Sequence, residues 1–243
     1  MHHIVLWKWH HPTYRERFTA DHVNHVAAML RRNCAGLEFR IVLITDDAAG
    51  VDPSISVYPL WRDHSDMNNI CGAHLPSCYR RLRLFDPDTQ ARMEMYPGDR
   101  IVSIDLDAVI CQPIAPMLER KERYLGWFVH GTHHRSVYNG SLFMFTAGDL
   151  ADVWLKFHAD TSPKEALAAG YLGSDQGWLS YCLLKNSWAS GWIRPEVVSY
   201  SRDVMQSRTL LAETRIVFFN GRRKPWHRDV QRQSPWIGRY WRI

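Results

Sequence analysis

A single stretch constrains this chain most: Ile101-Val102-Ser103-Ile104-Asp105-Leu106-Asp107-Ala108-Val109-Ile110. It is apolar and largely β-branched, with turn-forming residues on both sides, Pro97-Gly98-Asp99 before and Gln112-Pro113 after. Such a run reads as one buried strand. Alternate residues of an extended chain share a face, so the pattern predicts Asp105 and Asp107 on one side and Leu106 on the other. Two carboxylates at that spacing repel, and burying either alone is costly. A hard divalent cation with oxygen ligands resolves the conflict and keeps open positions for phosphate oxygens. The bland alternative is a solvated strand end whose carboxylates cap the next turn; the apolar flanks argue for depth instead.

The segments around this run set the fold class. Ile4 to Trp7 reads as a first strand. Thr19 or Asp21 then caps a helix whose Val23, Val26, Ala27 and Leu30 recur at i, i+3, i+4, i+7. Phe39 to Ile44 is a second strand, and strand, helix, strand at this spacing predicts a βαβ unit with parallel pairing. Ile55 to Tyr58 is a third strand and Ser77 to Phe85 a short basic helix. Further strands are expected at Leu125 to Val129, Ser141 to Phe145, Glu196 to Tyr200 and Arg215 to Phe219. Tyr138-Asn139-Gly140 reads as a turn. One helix runs from a cap at Asp149 to about His158, and another opens at Gly173-Ser174-Asp175-Gln176. The expected class is α/β: a Rossmann-like, mixed but mostly parallel sheet flanked by helices. With no repeat and no linker, residues 1–243 read as one domain, ending in a basic and aromatic tail over 221–243.

Composition narrows the function. Hydrophobic residues make up 46%, enough for a sizeable core, yet no run of the length that spans a bilayer occurs. The apolar stretch near Met1 is too short for a signal peptide. Five cysteines without a C-x-x-C pair argue against a zinc site or a disulfide framework, so a reducing cytoplasm is expected. The polar stretch Trp61 to Pro76 carries His64 and His74 without ligand spacing. A net charge of +5 suits an anionic ligand. Nucleic acid is disfavoured, since the basic residues cluster in the tail and no recognition motif occurs. Eleven tryptophans suit stacking on bases and sugars as well as filling a core.

Two further stretches carry candidate chemistry. Open α/β sheets bind ligands beyond the carboxyl ends of their strands, where Asp105 and Asp107 are expected. In Gly221-Arg222-Arg223-Lys224-Pro225-Trp226, Gly221 allows close backbone approach, Lys224 offers a compact cation for a departing diphosphate, and Pro225 stiffens the loop. Ser174-Asp175-Gln176 is an ordinary helix start, or it holds sugar hydroxyls and the charge that develops at the anomeric carbon. The tail places arginines among Trp226, Trp236, Tyr240 and Trp241; this suits either peripheral contact with an anionic membrane surface, on the inner face, or packing against the domain.

Taken together, these motifs resemble those of retaining nucleotide-sugar glycosyltransferases of the glycogenin and lipopolysaccharide-galactosyltransferase type, which have the GT-A fold. Tyr79-Arg80-Arg81-Leu82 leads into Asp105-Leu106-Asp107, the D-x-D motif. Asn139-Gly140-Ser141 resembles the N-x-G segment, Asp175-Gln176 the D-Q segment, and Gly221 to Trp226 the G-x-x-K-P-W segment. The resemblance spans about Tyr79 to Trp226. It implies a metal-dependent hexosyltransferase with a UDP-sugar donor and an acceptor that is a glycan, a lipid-linked sugar or a protein. It implies Mn2+ or Mg2+ on Asp105 and Asp107, and the donor sugar at Arg81, Asp105, Asn139, Ser141, Asp175 and Gln176. The last pair would act at the reacting carbon. Gly221 and Lys224 would meet the diphosphate, and Trp7 or Trp9 would stack on the base.

The chain departs from the pattern twice. Ser141 replaces the glycine of N-x-G. Phe218 stands where the family carries a histidine metal ligand, leaving Asn220 as a substitute oxygen. Two rival readings stand beside this one. A haloacid-dehalogenase-like phosphohydrolase shares the D-x-D pattern, but places it at the first strand. A non-catalytic nucleotide-sugar or glycan-binding protein would tolerate Phe218.

Overall fold

A computed structural model describes residues 1–10, 16–68, 70, 78–128, 137–183 and 189–243. His11, Pro12, Cys71, His74, Ser77 and Val129, which fall in expected elements or loops, lie outside the described residues. The strands are β1 (His2–Lys8), β2 (Phe39–Thr45), β3 (Ser56–Pro59), β4 (Arg100–Ile104), β5 (Ala108–Ile110), β6 (Tyr124–Phe128), β7 (Tyr138–Thr146), β8 (Ala189–Trp192), β9 (Val197–Ser199) and β10 (Ile216–Phe218). The α-helices are α1 (Ala20–Asn33), α2 (Pro87–Arg92), α3 (Ala115–Leu118), α4 (Asp152–Leu155), α5 (Ser162–Ala168), α6 (Asp175–Leu183), α7 (Arg228–Gln233) and α8 (Ile237–Tyr240). Tyr79–Phe85 is a 3-10 helix.

Seven strands form one sheet in the order β3-β2-β1-β4-β7-β6-β8. Its β1/β2, β2/β3, β1/β4 and β6/β8 pairs are parallel, and β7 runs antiparallel to both β4 and β6. The expected mixed, mostly parallel α/β sheet is therefore present. Reversal of β7 matters for function: it brings the start of that strand to the edge where β1 and β4 end. A smaller sheet, β5-β10-β9, lies against one face.

Strand alternation divides the apolar runs between two cores. Ile4, Leu6, Ile41, Leu43, Val102, Ile104, Leu142 and Met144 meet α1, the small sheet and the C-terminal helices. Val5, Trp7, Val42, Ile44, Phe143 and Phe145 meet the 3-10 helix, α4 and α6 on the other face. A continuous hydrophobic run is what a strand covered on both faces requires.

Three expectations need correction. The run from Ile101 to Ile110 is not one strand. It breaks at Asp105-Leu106-Asp107, and β5 crosses to the small sheet, pairing with β10. The carboxylates do not share a face by alternation; they stand in the crossover while Leu106, 1% exposed, anchors it in the core. The physical reason is that a buried ladder offers ionised carboxylates no solvation. Second, Tyr138-Asn139-Gly140 is not a turn but the start of β7. Gly140 is there for space: a Cβ would sit 3.3 Å from Asp175 Oδ2. Third, the helix expected from Asp149 shrinks to α4, because Leu150 adopts φ +63° and Asp149 pairs with Arg123 at 3.0 Å instead of capping.

The C-terminal stretch folds back rather than trailing as a tail. Val230 and Ile237 are fully buried, Trp241 is 8% exposed, and Arg32 of α1 donates to the carbonyls of Tyr240 and Arg242 at 2.9 and 2.7 Å. Its aromatic rings point inward, while Arg222, Arg223, Arg228, Arg232, Arg239 and Arg242 are exposed. Among the described residues no helix is long and apolar enough to cross a membrane.

Candidate active site

The site is built at the carboxyl edge of β1 and β4. Asp105 follows β4 directly, and its N–H donates to Ser141 O of the reversed strand β7 at 3.0 Å. This bond fixes the D-x-D crossover against Asn139-Gly140-Ser141. Asn139 Oδ1 accepts from Ser141 N at 2.9 Å, and Gly140 N donates to Gln176 Oε1 at 3.1 Å. Gln176 and Asp175 open α6, where the Ser174 hydroxyl accepts from Gly177 N at 3.3 Å as a cap. The cap role that the residue types allow thus falls to Ser174, which leaves Asp175 and Gln176 to face β7.

Arg81, from the 3-10 helix, ties these pieces together. Its Nη2 lies 2.6 Å from Asp105 Oδ1, and its Nη1 donates to Gly140 O at 2.9 Å. Its guanidinium also lies over the ring of Trp9 at 5.6 Å, a favourable cation–π position. Burial opposes its charge, but Asp105 foremost, with Asp175, holds its pKa above the ordinary arginine value.

Asp107 has a different partner. Lys224, 1% exposed, donates from Nζ to Asp107 Oδ2 at 2.6 Å and to Phe219 O at 3.0 Å. Phe219 N in turn donates to Asp107 O at 2.9 Å, so the D-x-D crossover and the residues after β10 are stitched together. Gly221, at φ +99°, makes the turn that brings Lys224 back under them. That conformation favours glycine. The like-charge conflict foreseen from the sequence is thus met within the chain, by Arg81 for Asp105 and by Lys224 for Asp107.

The balance is still negative, with three carboxylates facing two cations. Burial raises the pKa of Asp107, and Asp105 adds to it, against the pull of Lys224. Burial likewise raises Asp175, against the pull of Arg81. The Cys78 thiol beside this cluster is pushed up to about 12 by burial, which removes it as a nucleophile at neutral pH.

A divalent cation fits this donor set. Among the described residues, Asp107 Oδ1 and Asn220 Oδ1 are both buried and accept no hydrogen bond. Asn220 Nδ2 donates to Ser141 Oγ at 3.3 Å, holding the amide beside the crossover. Orphaned hard oxygens of this kind suit Mg2+ or Mn2+. Among the described residues no group of three or more His, Cys, Asp or Glu could hold a metal ion. Phe218 supplies nothing: it is fully buried, stacked on Trp127 at 4.9 Å.

One sequence-derived assignment fails. Trp7 is 3% exposed, donates from its indole N–H to Ser103 Oγ at 2.8 Å, and packs edge-on against Trp61. It is core and cannot stack on a base, because β1 directs its alternate residues into the sheet faces. Trp9, two residues on, is half-buried and lines a cavity of about 650 Å³ with Lys8, His10, Arg17, Phe18, Asp46 and Asp47. Asp46-Asp47 carry no role assigned from the sequence. The available signal was their place at the end of a strand parallel to β1, beside the D-x-D strand.

In sequence, no family model matches this chain, and no curated protein does either. In structure, the chain is similar to the galactosyltransferase LgtC in complex with donor and acceptor sugar analogues, at TM-score 0.63 and 13% identity, with 99% of this chain and 97% of that one covered. An active-site mutant of LgtC matches at TM-score 0.63 and 12% identity, with the same coverage. The fold is therefore the GT-A, Rossmann-like fold of that galactosyltransferase.

Proposed function

We propose that this chain is a retaining glycosyltransferase that moves a hexose from a nucleotide sugar, a UDP-sugar by resemblance, to a glycan, lipid-linked or protein acceptor, with a divalent cation. One observation carries the reading. Five stretches far apart in sequence, Arg81, Asp105–Asp107, Asn139–Ser141, Asp175–Gln176 and Asn220–Lys224, join by hydrogen bonds and ion pairs of 2.6 to 3.3 Å at one strand edge. The likeness to a galactosyltransferase fold supports it.

The residues divide the work. The cavity beside Trp9 has the size of a ligand pocket and receives base and ribose, with Trp9 as a wall and Asp46 and Asp47 as acceptors. Lys224 and Arg81 face the diphosphate, where negative charge grows as the sugar leaves; positive groups held in place before reaction stabilise such charge most. Asp105, Asp107 and Asn220 would hold Mn2+ or Mg2+, which when bound supplies further positive charge to the leaving group. Asn139 and Ser141 orient the sugar. Asp175 is poorly solvated, so its carboxylate interacts strongly with positive charge developing at the anomeric carbon, and Gln176 fixes its neighbour Gly140.

Two observations bear on the alternatives. Arg81 and Lys224 already neutralise the D-x-D carboxylates, which favours a non-catalytic nucleotide-sugar or glycan binder as the second reading. The phosphohydrolase reading needs the motif after the first strand, and here it follows β4. The exposed arginines of the C-terminal segment, with their rings turned inward, would meet an anionic membrane by charge alone.

The test is calorimetry of UDP with and without Mn2+, for the natural chain and Asp107→Ala. The expected result is binding that needs Mn2+ and falls at least a hundredfold in the variant, followed by slow hydrolysis of one UDP-sugar. UDP binding indifferent to both metal and Asp107, with no hydrolysis, would leave the binding-protein reading standing.

A further inference from the structure

The turn that carries Lys224 has little packing of its own. Gly221, Arg222 and Arg223 are exposed, and a Cβ on Gly221 would meet nothing within 4 Å. Such a turn is placed by what holds its two ends. At one end Phe219 N donates to Asp107 O at 2.9 Å and Asn220 Nδ2 to Ser141 Oγ at 3.3 Å. At the other, His227 N donates to Lys224 O at 3.1 Å and Gln231 Nε2 to Pro225 O at 2.8 Å. The latter two bonds are local. Contact with a distant part of the chain comes from Trp226.

Trp226 lies against the segment that leads into α1. Its indole N–H donates to Glu16 Oε1 at 2.9 Å, and His227 Nε2 lies 3.7 Å from the same oxygen. Phe18 meets the Trp226 ring edge-on at 5.9 Å, and His22 of α1 stacks on it at 3.9 Å. The same segment walls the large cavity, which Arg17, Phe18, Thr19, Ala20 and Asp21 line. Residues 16–22 therefore stand between that cavity and the Lys224 turn, and Phe18 touches both. An indole N–H needs a single acceptor, and a backbone carbonyl would serve. A carboxylate makes the shorter and stronger bond. Here it pins the indole, and with it the main chain two residues from Lys224.

We propose that Glu16 is a positioning residue for Lys224. By holding Trp226 it sets the turn so that the ammonium meets the β-phosphate of a nucleotide whose base and ribose fill the cavity on the other side of the same segment. The inference rests on the glycosyltransferase reading and deepens it. Glu16 acts through Trp226 and contacts no phosphate itself. Lys224 Nζ donates to Asp107 Oδ2 at 2.6 Å and to Phe219 O at 3.0 Å. Hydrogen bonds weaken steeply as their geometry degrades, so a turn that drifts at Trp226 loosens the ammonium from the crossover. Nucleotide binding and diphosphate grip thus share one structural element.

Calorimetry of UDP and UMP in the presence of Mn2+ tests this. The two ligands differ by the β-phosphate, so the ratio of their affinities reads the diphosphate contact. In Glu16→Ala the ratio should fall about tenfold, the size of a lost hydrogen bond to a charged group, with UMP affinity unchanged. Glu16→Gln keeps an acceptor for the indole N–H and should retain most of the ratio. Trp226→Phe keeps a ring, loses the donor and should match Glu16→Ala; it also serves if thermal melts show that Glu16→Ala does not fold. Trp241→Ala removes a ring that packs on Trp226 at 5.6 Å and leaves the Glu16 bond in place, so it should lower stability without moving the ratio. A ratio unchanged in both Glu16→Ala and Trp226→Phe, equal weakening of UDP and UMP, the same fall in Trp241→Ala, or a ratio near one in the natural chain would overturn the proposal. Failure of the glycosyltransferase reading looks different: UDP does not bind the natural chain, or binds it unaffected by Mn2+ and by Asp107→Ala. Lys224 then has no diphosphate to meet, and the proposal falls with that reading.

Discussion

The strand edge and the junction between α1 and the C-terminal helices are both assembled from residues distant in sequence, yet they treat buried polarity in opposite ways. At the edge, carboxylates are buried with raised pKa values, and oxygens of Asp107 and Asn220 are left without hydrogen-bond donors. At the junction several polar groups find partners, although the Trp236 indole N–H is buried without one. His22 stacks on Trp226 at 3.9 Å and accepts from Thr19 N at 3.0 Å, Trp226 donates to Glu16 at 2.9 Å, and His25 stacks on Trp241 at 5.2 Å. Unsatisfied buried groups cost stability, so the edge holds strain that the rest of the fold must offset. The contrast teaches that the edge keeps buried charge and open oxygens that packing alone does not require.

Three substitutions or conditions probe that contrast. Asp175→Asn removes a buried carboxylate whose folded pKa is raised by burial. Transfer or donor hydrolysis should fall by about 10²- to 10³-fold, the scale of losing one electrostatic group aimed at a transition state. The melting temperature at pH 7 should hold or rise, because a raised carboxylate opposes folding once pH exceeds its unfolded value. A large fall in melting temperature would break the comparison. Trp241→Ala should do the reverse, costing about 3 kcal/mol of stability, as for other buried tryptophans, while UDP affinity measured below the transition stays unchanged. Urea titration with calorimetry decides it.

The smallest effect is that of pH at the junction. Burial lowers the pKa of His22 from 6.5 to about 4, so the fold prefers it neutral, and its ring must stay unprotonated at Nδ1 to accept from Thr19. Glu16 and Asp21 pull the other way, and His25 and His227 reinforce the shift. A depressed pKa contributes stability above the unfolded value that is lost as pH falls through the folded one. Stability should therefore decline as pH falls from 6.5 to about 4. His22→Gln should flatten that part of the profile in pH-dependent thermal melts.

Much of the fold was legible in the residues. Apolar runs at Ile4, Phe39 and Ser141 marked strands because β1, β2 and β7 are covered on both faces. The period of Val23, Val26, Ala27 and Leu30 marked α1 because one face of that helix meets the core. Illegible were the breaks. Ile101 to Ile110 reads as a strand throughout, since nothing local distinguishes a ladder from a crossover when the flanks are equally apolar. Leu150 at φ +63° is likewise invisible, being imposed by packing. Short helices such as α5 were missed because so few residues carry no period.

The candidate site divides the same way. Sequence by itself determined which groups were available, namely the carboxylates of Asp105, Asp107 and Asp175 and the cations Arg81 and Lys224, with Phe218 offering no ligand atom, because side-chain chemistry and order along the chain are local facts. Tertiary structure decided their partners. Arg81 took Asp105, Lys224 took Asp107, Trp7 went to the core while Trp9 reached the cavity, and Arg194 and Arg202 converged on Asp203. Those pairings depend on strand polarity and register, above all the reversal of β7, which is settled by long-range packing that no stretch of the sequence contains.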